Sequence, residues 1–105
     1  MSLLGKIKDS NLELNSAGQM VESQWCALPQ RFIHLALDTY VVMPNHFHGI
    51  INLEPSANAK LGDIIGLFKS LTNHYYNEGV KNNGWLPYNK HLWRRNYYEH
   101  IISVA

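Results

Sequence analysis

Residues 33–53 read IHLALDTYVVMPNHFHGIINL, and this stretch decides the fold because it holds two strand patterns on either side of a turn signal. Residues 33–43 and residues 46–53 each alternate in hydropathy and contain many β-branched side chains, which predicts two strands. Pro44-Asn45 indicates a turn or bulge between them, so the strands should pair as an antiparallel hairpin. The predicted apolar faces are Ile33, Leu35, Leu37, Val41 and Met43 on the first strand, and Phe47, Ile51 and Leu53 on the second.

The segments before this hairpin predict a smaller hairpin and a helix. Residues 5–14 alternate in hydropathy around a turn at Asp9-Ser10-Asn11. Ser16 and Gln19 have the spacing of a capping box, which predicts that a helix begins there, and Pro29 is expected to end it. The residues that fall on its apolar face are Ala17, Met20, Val21, Gln24 or Trp25, and Leu28.

The segments after the hairpin predict a longer helix and a last extended segment. Residues 61–78 have the clearest helical periodicity in the chain, and Gly79 is expected to end the helix. Residues 79–90 are rich in Asn and Gly and predict a loop. Residues 91–102 are rich in aromatic and β-branched side chains and predict a final strand or an irregular extended segment.

This order of elements predicts an α+β sandwich, with two helices packed on one face of an antiparallel sheet. The arrangement resembles a ferredoxin-like fold without its first strand. A chain of 105 residues with 46% hydrophobic and 16% charged residues suits one domain spanning residues 1–105, and it excludes a disordered chain or a multidomain enzyme.

Composition also restricts the compartment. The single cysteine, Cys26, cannot form an internal disulfide, which favours a reducing, cytoplasmic location. No apolar stretch approaches the ~18 residues that a membrane span needs, so we expect no membrane partner.

The motif His46-Phe47-His48 is the strongest chemical signal. Side chains at i and i+2 of a strand point to the same face, so two imidazoles can converge on one divalent metal while Phe47 points into the core. The alternative is a pair of histidines that are exposed or hydrogen-bonded and bind no metal.

Basic residues of the second half are candidate DNA contacts. Residues 60–105 carry six Lys or Arg against three Asp or Glu, which permits contact with phosphate. Lys69 and Ser70 lie on the longer helix, where a solvated lysine is also a common arrangement. Arg94 and Arg95 stand between aromatic residues, as in proteins that grip single strands, although the aromatics could equally belong to the core.

Four separated segments resemble one protein family in the same order. VVMPNHFHGII resembles the HUH signature (His, hydrophobic residue, His) of single-tyrosine transposases, in particular the REP-associated tyrosine transposases and their insertion-sequence relatives. The other three are LGKIKDSNLELNSAGQMVESQW, LGDIIGLFKSLTNHYYNE and LWRRNYYEHII. The resemblance covers roughly residues 4 to 102.

The resemblance implies a mechanism. His46 and His48 match the metal ligands of the family, which implies a Mg²⁺ or Mn²⁺ ion that polarises a phosphate of single-stranded or hairpin DNA. A tyrosine then attacks phosphorus and forms a covalent link. The family's nucleophile lies on a later helix, so no catalytic residue is assigned to Tyr97 or Tyr98, and we expect the sequence to be truncated at both ends.

The same resemblance favours Lys69, Ser70, Arg94 and Arg95 as DNA contacts. An alternative is a non-catalytic remnant that binds metal or DNA without cutting it. A further possibility is a module that self-associates, because an open sheet edge invites a homodimer.

Overall fold

A computed structural model describes residues 3–44, 46–54, 59–88 and 92–93, together with the backbone of residues 98–104. Its elements follow one another as β1 (Gly5–Lys8), β2 (Asn11–Leu14), α1 (Ser16–Cys26), α2 (Leu28–Arg31), β3 (Leu35–Met43), β4 (His46–Leu53), α3 (Leu61–Asn82) and β5 (Tyr98–Val104). Both predicted hairpins are present. In the first, Asp9 and Ser10 have φ values of 53° and 65°, as a two-residue turn between antiparallel strands requires.

The α+β class predicted from the sequence is confirmed, but the larger sheet is mixed rather than wholly antiparallel. Its strand order is β3-β4-β5, with β3 antiparallel to β4 and β5 parallel to β4. A tight turn can join only antiparallel neighbours, whereas parallel neighbours need a crossover connection. The chain between β4 and β5 contains α3, which supplies that crossover and explains the parallel direction of the last strand.

Phe47 marks the face of the sheet on which the helices pack. Its side chain is fully buried, with its ring centroid 4.8 Å from that of Trp25 on α1 and 5.0 Å from that of Phe68 on α3. Both helices therefore lie on one face of the sheet, as predicted. Ile51 is also fully buried, so the apolar face predicted for β4 is the face that the core uses.

The face predicted for β3 holds only for its first half. Leu35 is buried, but Ile33 lies outside the strand and is 66% exposed. The register of β3 against β4 shifts between Leu37 and Tyr40, which is a β-bulge or similar irregularity. A shift of one residue turns every later side chain to the other face. Val42 is consequently buried in place of Val41, which is 40% exposed.

Helix ends differ from the predictions by a few residues. Asn15, not Ser16, caps α1: its side-chain oxygen accepts a hydrogen bond of 2.9 Å from the backbone N–H of Gly18. Pro29 lies in the first turn of the short helix α2, where a missing N–H is tolerated. Gly79 does not end α3, which continues to Asn82.

Gly79 has a packing role inside the helix. The indole ring of Trp85 lies against its α-carbon, where any β-carbon would overlap the ring. The Gly79 carbonyl accepts hydrogen bonds from the N–H groups of Asn83 and Trp85 as the chain leaves α3. No helix in the described part of the chain combines the length and the apolarity needed to cross a lipid bilayer.

Candidate metal and nucleic-acid sites

The histidine pair occupies the face of the sheet opposite to the helices. Phe47 points towards α1 and α3, and side chains alternate along a strand, so His46 and His48 point the other way. Both are half-buried. Their ring centroids are 4.8 Å apart and their planes meet at 80°. The spacing predicted from the sequence therefore brings two imidazoles together on one surface.

The protonation of His46 suits metal binding. Desolvation by burial, with a smaller contribution from the nearby His48, lowers the pKa of His46 below its usual 6.5. A lowered pKa keeps the imidazole neutral near pH 7, and only a neutral ring nitrogen can donate its lone pair to a metal.

The donor chemistry fits a divalent ion of the first transition series. Imidazole nitrogen binds such ions well, whereas Mg²⁺ prefers oxygen ligands and retains water. Of the two ions that the sequence resemblance implies, the pair His46 and His48 therefore fits Mn²⁺ better. Within the described residues, no group of three or more His, Cys, Asp and Glu side chains is close enough to hold a metal. The backbone register places Tyr98 beside His46 and His100 beside His48.

Lys69 and Ser70 line a second feature, a cavity of about 220 Å³ on α3. The other described residues that line it are Asn73, Leu92 and Trp93. Trp93 is buried, and its indole N–H donates a hydrogen bond of 2.7 Å to the hydroxyl of Thr72. This bond ties the residue that precedes Arg94 to the helix that carries Lys69. Arg94 and Arg95 themselves lie outside the described residues.

The two predicted sites are not adjacent. Phe68, next to Lys69 in α3, packs on Phe47 from the helix side of the sheet. His46 and His48 lie on the other side. A DNA strand that reached both sites would have to pass around an edge of the sheet.

Sequence reasoning missed two groups of polar residues. The Tyr88 hydroxyl lies 2.7 Å from the Oδ1 atoms of both Asn73 and Asn77, one turn apart on α3. The spacing of the two asparagines on one helix face was the available signal. Tyr40 forms the second group with Glu22 and Cys26, at 3.1 Å and 3.8 Å from its hydroxyl oxygen.

Comparison with known proteins places these features in a family. The sequence model of the family described as "Transposase IS200 like" matches residues 25–105, which include the histidine pair and the Lys69 cavity. The chain belongs to the IS200-like transposase family. This membership agrees with the resemblance seen in the sequence.

One curated relative extends beyond this chain. A protein of Haemophilus influenzae (strain ATCC 51907 / DSM 11121 / KW20 / Rd), described as an uncharacterized protein, is 31% identical over 123 aligned positions. The alignment covers 95% of this IS200-like chain and 63% of the relative, so the chain spans less than two thirds of the relative's length. No solved structure matches the chain.

Proposed function

We propose that this chain is a DNA-binding, transposase-like domain of the kind that nicks and rejoins single-stranded or hairpin DNA through a tyrosine and a divalent metal. The observation that carries the proposal is the pair His46 and His48, whose rings lie 4.8 Å apart on the face of the sheet opposite to α1 and α3. Transposition requires that phosphodiester bonds be broken and formed. Two imidazoles on one face of a strand can hold a metal against such a bond.

The chain's own residues would hold and orient the ion, either Mg²⁺ or Mn²⁺. Phe47 packs between Trp25 and Phe68, so contacts on the helix side of the sheet hold the strand that presents the imidazoles. A bound divalent ion would supply Lewis-acid polarisation of a phosphate oxygen. In the related HUH enzymes, a tyrosine oxygen forms a bond to phosphorus while the bond to the 3′ oxygen breaks, and no tyrosine of this chain is assigned that role.

Contacts to the DNA backbone are proposed for Lys69, Ser70, Arg94 and Arg95. Two contacts support the proposal. Lys69 and Ser70 line a cavity with Trp93, and the Thr72–Trp93 hydrogen bond holds α3 next to Trp93, the residue that precedes Arg94. Cationic side chains that contact phosphates give sequence-independent affinity that falls as salt rises.

A gel assay with labelled DNA tests the nicking function. Hairpin and single-stranded oligonucleotides are incubated with the protein and Mn²⁺, then separated on a denaturing gel. A protein–DNA adduct that disappears in His46→Ala and His48→Ala, but persists in His74→Ala, would support the proposal. His74 is an exposed histidine on α3 and serves as the matched control.

The alternative is a module that binds metal or DNA without cutting it, and the same assay separates the two. Metal-dependent DNA binding with no adduct under any condition would favour the binding module. Absence of DNA binding with and without Mn²⁺ would contradict both.

Two further properties are proposed with this function, a cytoplasmic location and a homodimer formed by strand addition. β3 lies at one edge of its sheet, with Tyr40 and Val41 more than one third exposed. Edge strands can pair with a second copy. Sedimentation equilibrium at micromolar concentration checks the dimer, and a monomer throughout would contradict it.

A further inference from the structure

Among the described residues, the cavity beside Lys69 has a lining suited to an anion. Within the part of the chain that the structure describes, its polar side chains are an ammonium group, a hydroxyl and an amide, from Lys69, Ser70 and Asn73, and no acidic residue lines it. Lys69 and Asn73 are four residues apart on α3, so they share one face of the helix. Leu92 and Trp93 also line the cavity.

Tyr88 determines which end of the Asn73 amide can face this cavity. A phenol hydroxyl carries one proton, so it donates to one amide oxygen and must accept from the other amide. Asn73 is half-buried and Asn77 is exposed, so the Asn77 amide can turn its NH₂ towards Tyr88 at little cost. Tyr88 then donates to Oδ1 of Asn73, and the Asn73 NH₂ remains a donor.

We propose that this cavity seats a phosphodiester group of the DNA backbone, bound by Lys69, Ser70 and Asn73, with Tyr88 as a positioning residue that fixes the Asn73 amide. The proposal rests on the proposed function, because it names the DNA contact that Lys69 makes. It adds a neutral donor whose orientation is set by a residue 15 positions later in the chain. Backbone contacts of this kind position DNA and do not read its sequence.

The decisive variant is Asn73→Asp, which keeps the size of the side chain and the oxygen that accepts from Tyr88. It replaces the NH₂ donor by a carboxylate oxygen that repels phosphate. Asn77→Asp is the matched control, because it makes the same change one turn away, also beside Tyr88, on a residue that does not line the cavity.

Affinity is measured by fluorescence anisotropy of a labelled single-stranded oligonucleotide in EDTA, so that the histidine site holds no metal. We expect Asn73→Asp to weaken binding by about tenfold or more, since hydrogen bonds to charged groups are among the stronger ones. Asn77→Asp should change affinity by about twofold at most, as expected for a distant screened charge.

The dependence of DNA affinity on salt distinguishes the charged contact of Lys69 with phosphate from the neutral contact of Asn73. Lys69→Ala should flatten the plot of log affinity against log salt by about 0.7, the value for one phosphate contact on a single strand. Asn73→Ala should weaken binding and leave that slope unchanged, because the amide is neutral. Tyr88→Phe should weaken binding in the same way, and thermal melting of each variant confirms that it is folded.

Equal losses in Asn73→Asp and Asn77→Asp would overturn the proposal, because a general charge effect would then explain both. Wild-type affinity in Asn73→Ala alongside weakened binding in Lys69→Ala would overturn it and leave the proposed function standing. Absence of DNA binding by the wild-type chain in both EDTA and Mn²⁺ would instead reject the proposed function, and this inference with it.

Discussion

The indole ring of Trp25 lies against the α-carbon of Gly49, so closely that a β-carbon at this position would overlap the ring. Trp25 is fully buried, and its ring also contacts Phe47 and Phe68. Helix α1 therefore packs against β4 at the residue that follows His48. This contact fixes the strand that presents the histidine pair.

Gly49→Ala should lower the free energy of unfolding by about 1–3 kcal/mol, the usual cost of forcing extra volume into a packed core. The measurement is urea denaturation followed by circular dichroism. Gly66→Ala is the matched control. Gly66 lies within α3, and a β-carbon added there meets nothing within 4 Å. Alanine is favoured over glycine in a helix by about 0.5–1 kcal/mol, so this control should be stabilising. Similar stability of the two variants would show that Trp25 does not pack on Gly49 in solution.

Mn²⁺ binding should depend on both imidazoles of the pair. Isothermal titration calorimetry of the wild-type chain should show weak binding, because water would fill positions that protein ligands leave open. His46→Ala should abolish the heat, since one remaining imidazole is a poor site by itself. His74→Ala should bind as the wild type does. Binding that is unchanged in His46→Ala would contradict the metal site.

Much of the fold follows from periodicity, and the exceptions have identifiable causes. The bounds of β4 agree with the predicted 46–53 because one buried face, set by Phe47 and Ile51, persists along the strand. The alternation of β3 fails after Leu37, since a bulge is a tertiary adjustment that no period-2 pattern reveals. Gly79 has the pattern of a residue that ends a helix. Glycine is needed there for a different reason, because Trp85 packs on its α-carbon from outside the helix.

The candidate sites likewise include contacts that a local sequence rule predicts and contacts that only the folded chain creates. His46 and His48 are two residues apart, so a local rule suffices to place them on one face. The link between Tyr88 and Asn73 requires the chain to fold back after α3, and the sequence carries no pattern for that contact. The same local rule, together with the predicted packing of both helices on the core face, also places α3 and the histidine pair on opposite faces of the sheet.

Tyr40 should ionise at a higher pH than an ordinary tyrosine. Its hydrogen bond with Cys26, desolvation and the hydrogen bond it donates to Glu22 raise its pKa from 10.0 to about 12. A phenolate at this position would lie next to the carboxylate of Glu22, which repels its negative charge. Ultraviolet titration of the wild-type chain should show a tyrosine transition near pH 12 that is lost in Tyr40→Phe.

Because the pKa of Tyr40 is raised in the folded chain, the free energy of unfolding should decrease at alkaline pH. The unfolded chain, in which tyrosine has its ordinary pKa, loses the proton first as pH rises. The contribution of Tyr40 is therefore complete below pH 10 and decreases between pH 10 and about 12. Tyr40→Phe should reduce this alkaline loss of stability in thermal melts. An alkaline profile that is identical in the two proteins would contradict the assignment.

Thr72 should anchor the segment that leads to Arg94, because its hydroxyl joins two distant parts of the chain. The hydroxyl is fully buried, donates to the Phe68 carbonyl at 2.7 Å and accepts from the Trp93 indole N–H, 21 residues away. Thr72→Val keeps the shape of the side chain but leaves that N–H buried without its acceptor. This should cost about 1–3 kcal/mol, the penalty for an unsatisfied buried polar group. Thr72→Ser keeps the hydroxyl and should recover most of the loss.

The same substitutions should also affect DNA binding, because Trp93 lines the cavity with Lys69. Thr72→Val should weaken binding of a single-stranded oligonucleotide at temperatures where the variant remains folded, whereas Thr72→Ser should not. Equal stability and equal DNA affinity of the valine and serine variants would show that the Thr72–Trp93 hydrogen bond does not hold this segment in place.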